Sequence, residues 1–198
     1  MNATRALGIA GAIVNGVVAV AYPIAVGYGL LYLPARSVSL GMLAVVSVGL
    51  AVRLRRAGRA ALWSVARLPL AVASLVVLGA WLNDGRFVQA LPVLINTVLL
   101  LEFGSTLVPP AVPMIERFAR MQHPVLGPAQ QRHCRRFTKA WCAFFVGNGA
   151  VAGGLALAAP VWWWTVYTGG IAYVLMGLMF VVERAMRPRA EGPVVPEP

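Results

Sequence analysis

Residues 87–108 carry one ionisable side chain, Glu102, in a run that is otherwise uncharged and mostly apolar. Stretches of this kind recur along the chain. About 20 apolar residues in a helix cross a hydrocarbon core of about 30 Å, and only a helix satisfies its own backbone there without strand partners. The recurrence therefore predicts an all-α fold, a polytopic membrane protein with short loops. Composition agrees. Of 198 residues, 60% are hydrophobic and 12% charged, with a mean hydropathy of +0.76. A soluble domain carries roughly 25% charged residues.

Six spans are expected, at Leu7–Leu33, Ser39–Val52, Ala60–Leu82, Phe87–Val108, Lys139–Ala159 and Val161–Val182. The first contains Pro23 and is far longer than the roughly 7–15 residues of a signal-peptide core, so it reads as a retained helix. The second covers only about 22 Å and crosses only if Arg53 snorkels or the bilayer thins. Residues 1–187 read as one transmembrane domain. Residues 188–198, with four prolines and two acids, read as a disordered cytoplasmic tail.

The net charge is +11. The basic residues flank apolar runs, which points to membrane topology and not to nucleic acid. With both termini cytoplasmic, fourteen of the seventeen basic residues fall on the inner side. They are Arg5, Arg53, Arg55, Arg56, Arg59, Arg117, Arg120, Arg132, Arg135, Arg136, Lys139, Arg184, Arg187 and Arg189. Arg36 and Arg86 fall outside and Arg67 within a span. Cationic loops resist translocation, so the bias sets the orientation. Four or five spans would strand a basic segment on the wrong face. Trp81, Trp162, Trp163 and Trp164 then mark the outer interface, and Trp63 and Trp141 the inner one.

Glu102 lies roughly 9 Å, and Arg67 roughly 10 Å, from the cytoplasmic ends of adjacent antiparallel spans. A lone charge at a helix centre costs about 2.5–3.5 kcal/mol, so the two are expected to pair. Asn148 reaches about 13 Å from the same face, and Asn96 lies deeper than Glu102. Arg67, Glu102, Asn148 and Asn96 thus form a candidate intramembrane polar cluster. It reads either as a clasp between helices or as a polar pocket open to the cytoplasm.

Between spans four and five, PMIERFARMQ places Met114, Ile115, Phe118 and Met121 at spacings of three and four, against Glu116, Arg117 and Arg120. This predicts a short amphipathic interfacial helix with a Glu116–Arg120 pair. Ile115, Phe118, Arg117, Arg120, Arg132, Arg135 and Arg136 form the candidate surface for anionic lipid or a protein partner, or serve orientation alone. In span five, Gly149 and Gly153 form GxxxG beside the small row Ala150, Gly154 and Ala158; Gly169, Tyr173 and Gly177 recur in span six. Close packing of five against six follows, or a homodimer face. Cys134 and Cys142, eight apart, fit neither a disulfide framework nor a metal motif, and free thiols are expected. With His123 and His133 they match no zinc spacing. The one aspartate, Asp84, is expected on the opposite face from both histidines, which excludes a Ser-His-Asp triad. No metal, cofactor or catalytic residue is assigned.

RRFTKAWCAFFVGNGAVA (135–152), YTGGIAYVLMGLMFVVERAMR (167–187) and PMIERFAR carry a resemblance. The chain resembles bacterial inner-membrane proteins of the septation protein A type. It is more similar still to an uncharacterised membrane-protein family often encoded beside type II fatty-acid or aryl-polyene biosynthesis genes. The resemblance covers about the last 85 residues; upstream, Tyr22-Pro23 is suggestive. It implies a multi-pass inner-membrane protein tied to envelope maintenance or accessory to acyl-chain assembly, and brings no catalytic motif. Three functions follow. The first is a non-enzymatic interaction or scaffold component. The second is a lipid- or acyl-handling protein whose polar pocket receives an anionic headgroup or acyl-carrier protein. The third, a small transporter, lacks the expected repeat.

Overall fold

The computed structural model describes residues 24–56 and 62–188; the side chains at 52, 53, 56, 62–65, 67 and 68 lie outside that description. So do the expected first span as far as residue 23 and the tail beyond residue 188. Every regular element among the described residues is helical. Residues 24–32 are helical (α1). They are followed by α2 (Ala35–Arg56), α3 (Leu62–Leu82), α4 (Arg86–Gln89), α5 (Leu91–Ser105), α6 (Met114–Gln122), α7 (Pro128–Ala158), α8 (Val161–Val166), a π-helical turn (Tyr167–Ile171) and α9 (Ala172–Ala185).

Among the described residues, three helical stretches are long and apolar enough to cross a membrane: Arg86–Ser105, Pro128–Ala158 and Val161–Ala185. Shorter apolar stretches occupy Ala35–Ala51 and Pro69–Leu82. Helix ends depart from the hydropathy boundaries in an orderly way. α2 extends on both sides of Ser39–Val52, and α7 begins well before Lys139. Arg, Gln and Lys are good helix formers, so a helix does not stop where apolar residues stop. α5 ends at Ser105 and not at Val108. A break falls at Ala90 between α4 and α5; Pro92, without an N–H, cannot donate into the preceding turn.

The chain divides into two compact units. In the first, which among the described residues holds 24–56, 62–94 and 150–174, α2 packs along α3. The close approach is at Ser39 and Gly79, where an added Cβ would lie 2.9 Å from Ser39 Oγ. The reversal after α3 uses Asn83 at φ 50°, a conformation asparagine tolerates. Its Oδ1 accepts the Arg36 N–H at 2.9 Å, and Asp84 Oδ1 accepts the Arg86 N–H at 2.9 Å. Val26, Val76, Val88, Leu91, Ala156 and Trp164 form the core. Trp164 is completely buried, and its indole N–H donates to Gln89 O at 3.1 Å. It therefore does not belong to the expected outer belt. Three consecutive residues point about 100° apart around a helix and cannot share one face. Trp162 and Trp163 stay exposed and stack at 4.2 Å, and Trp81 is exposed. The side chain of Trp63 lies outside the described residues.

The second unit comprises, among the described residues, 95–149 and 175–188. Its core joins Ile115, Ala119, Leu126, Cys134, Phe137, Trp141 and Phe145. Trp141, expected at the inner interface, is 4% exposed. It packs against Phe180 at 4.9 Å and Phe144 at 5.6 Å. Aromatic edges and faces complement one another at such separations.

Gly149 and Gly153 of α7 meet α5, whereas Ala156 shares the first unit's core with Trp164 of the sixth span, as expected of five against six. Within the second unit an added Cβ at Gly149 would lie 3.2 Å from Asn96 Cβ; within the first, one at Gly153 would lie 3.3 Å from a Val93 methyl. An added Cβ at Gly154 or Gly177 meets nothing within 4 Å. GxxxG fixes a face on its own helix and leaves the opposing helix unspecified.

Candidate functional site

The second unit brings α6 and the head of α7 together into one folded, basic collar. The connection from α5 is pinned first. Thr106 Oγ1 donates to Phe103 O at 2.6 Å and accepts the Met114 N–H at 2.9 Å. Thr138, wholly buried on α7, does the same for α6: its Oγ1 donates to Cys134 O at 2.9 Å and accepts the Ile115 N–H at 3.3 Å. Arg135 Nη2 reaches Leu107 O at 2.9 Å, and Arg117 Nε reaches Val112 O at 2.9 Å. A pinned loop of this kind holds its arginines in fixed places; a loose one would not.

The expected Glu116–Arg120 pair forms. Arg120 Nε and Nη2 donate to Glu116 Oε1 at 2.9 and 2.6 Å, and Nη1 reaches Pro124 O at 3.2 Å. The Glu116 side chain is only 9% exposed. A carboxylate this buried needs such a partner. Ile115, assigned to the exposed surface by its spacing, is buried in the core instead. The residues Ile115, Phe118 and Met121 drift about 60° per three-residue step, so they spread over about 120° of the helix. One edge enters the protein and the other remains outside. Phe118, Met121 and, beyond the helix, Val125 are exposed, as are Arg117, Arg120, Arg132 and Arg136.

A second buried carboxylate escaped the sequence reading. Glu183, on α9, accepts from Arg187 Nε and Nη2 at 3.1 and 2.9 Å on Oε1, and from Nη2 at 3.1 Å on Oε2. His133 Nε2 lies 3.4 Å from Oε1, and the His133 ring stacks on Phe137 at 4.6 Å. The spacing Glu183–Arg187, i to i+4 at the close of a span, was the available signal. The link to His133, fifty residues away, has no sequence signature.

Between the two helices lies a groove of about 350 Å³, lined by Pro113, Glu116, Pro128, Gln131, Arg132 and Arg135. Positions 128, 131, 132 and 135 share one face of α7, and 113 and 116 share the start of α6. Arg132 and Arg135 thus line the groove together with the nearly buried Glu116.

The intramembrane cluster is brought together in part. Asn148 Nδ2 donates to Asn96 Oδ1 at 3.1 Å. Glu102 is half-buried and stands about 120° around α5 from Asn96, so the amide pair and Glu102 occupy different faces. The Arg67 side chain, and with it the expected Arg67–Glu102 pair, lies outside the described residues. Cys134 and Cys142 are free thiols, Cys134 buried. Among the described residues, no group of three His, Cys, Asp or Glu is placed to hold a metal ion.

Comparison with family models, with curated proteins and with solved structures gives no match in any of the three.

Proposed function

We propose that the chain is a multi-pass protein of the bacterial inner membrane that acts without catalysis, as an interaction component whose working surface is the cytoplasmic collar of α6 and the head of α7. One observation carries this reading. The arginines of the collar sit on a folded scaffold pinned by Thr106, Thr138 and Arg135, with Phe118 and Met121 exposed beside them. Apolar side chains flanked by arginines suit the boundary between acyl chains and anionic headgroups. The distribution of basic residues supports six crossings with both termini inside. The resemblance at 135–152 and 167–187 supports a place in envelope maintenance or beside acyl-chain assembly. The lipid-handling reading is favoured by one feature, the groove. For the pocket version around Arg67, Glu102 and Asn148, the one contact on view is the Asn148 Nδ2 hydrogen bond to Asn96 Oδ1.

The test is a spin label on Met121→Cys in a chain carrying Cys134→Ser and Cys142→Ala, held in nanodiscs containing anionic lipid. Met121 is 82% exposed, so the label perturbs little packing. Under this reading oxygen relaxes the label more than a water-soluble nickel chelate does. A label relaxed mainly by the chelate takes α6 off the bilayer and removes the working surface.

A further inference from the structure

We infer that the groove between α6 and α7 binds the headgroup of an aminophospholipid, a phosphate ester bearing a primary amine two carbons away. The inference rests on the collar lying at the inner leaflet, and it specifies what that collar recognises. Three features of the groove lead to it.

The first is its donors. Arg132 and Arg135 line it from one face of α7. Guanidinium groups match phosphate oxygens in geometry and charge, and they do so best when held in place. Arg135 is held, through its contact with Leu107 O at 2.9 Å. The second is its acceptor. Glu116 lines the same groove, and both of its contacts with Arg120 fall on Oε1. Among the described residues Oε2 accepts no side-chain hydrogen bond. A phosphate with no amine would set negative charge against this carboxylate. A phosphoethanolamine group places its phosphate on the arginines and its ammonium, with three N–H donors, on Glu116. The third is size and level. A volume of about 350 Å³ lies within the roughly 300–1,000 Å³ of small-ligand sites. α7 runs unbroken from Pro128 into the apolar stretch that opens after Lys139. Arg135 and Arg132 stand roughly 6 and 10 Å along the axis before Lys139, the thickness of a headgroup layer.

The full chain in non-ionic detergent is examined by native mass spectrometry with added phosphatidylethanolamine, phosphatidylcholine or phosphatidylglycerol. The ethanolamine lipid is retained about tenfold better than either of the others, the worth of one charge-assisted hydrogen bond. Phosphatidylcholine is the sharper control, because its trimethylated nitrogen cannot donate. Glu116→Gln removes the preference for ethanolamine over choline. Arg132→Gln weakens ethanolamine and glycerol lipids alike. Equal retention of all three lipids by the wild-type chain overturns the inference, as does a preference that survives Glu116→Gln. Should that variant fail to fold, the wild-type headgroup series and Arg132→Gln decide the matter. Free O-phosphoethanolamine is titrated alongside; binding of it without binding of the lipid overturns the assignment to lipid. None of these readouts depends on which side of a membrane the groove faces, so they fail separately from the proposed orientation.

Discussion

Glu183 Oε1 accepts two hydrogen bonds from Arg187 and lies 3.4 Å from His133 Nε2, while the whole residue is nearly buried. Moving a carboxylate out of water is costly, and several short charge-assisted contacts are what make its burial tolerable. Arg187 is 34% exposed, so solvent screens part of its contribution. Glu183→Gln keeps the shape and removes the charge, leaving a guanidinium and an imidazole facing an amide. The expected loss is about 1.5–3 kcal/mol, the range for hydrogen bonds to a charged group. Arg184→Gln, one residue on and exposed, should stay within about 0.5 kcal/mol. Thermal unfolding of both variants in one detergent compares them directly. Equal melting temperatures would show that the Glu183 contacts contribute nothing net, as exposed pairs commonly do.

At the level of elements, the facing of α7 is what the sequence left open. Gly149 meets Asn96 and Gly153 meets Val93, whereas Gly154 has open space around it. Gly149→Val and Gly153→Val should therefore each cost about 1–3 kcal/mol by overpacking. Gly154→Val should be silent. Unfolding midpoints in detergent check all three, and a Gly154 variant as damaged as the others would mean that α7 turns a different face inward. The case shows what was legible. Long uncharged runs identified the helices, because backbone groups in lipid leave few alternatives. Period and spacing identified α6 and the Glu116–Arg120 pair. Partners across the fold were not legible: neither Gly149 with Asn96 nor His133 with Glu183 leaves a local signature. Ile115 and Trp164 were misplaced for a related reason. Each sits at one end of an apolar set too wide for a single helix face, and only packing decides which member turns inward.

For the molecule as a whole, the decisive quantity is the side on which each basic segment lies. The proposed six crossings put the turn at Asn83–Gly85 outside and the collar inside, because fourteen of seventeen basic residues then stay in the cytoplasm. Two positions report on this without disturbing a core. Arg86 is exposed at the start of α4, and Val125 is 88% exposed in the connection between α6 and α7. Arg86→Cys and Val125→Cys, each in a chain with Cys134→Ser and Cys142→Ala, are treated with a membrane-impermeant maleimide on intact spheroplasts and again after permeabilisation. Arg86→Cys should label in both conditions and Val125→Cys only in the second. If Val125→Cys labels on intact cells, the collar faces outward, and the inner-leaflet role does not survive. The chemistry of the groove would then still stand in detergent, but its ligand would have to come from the outer side. If both positions label only after permeabilisation, the segment between them crosses an even number of times, and the count of six must change.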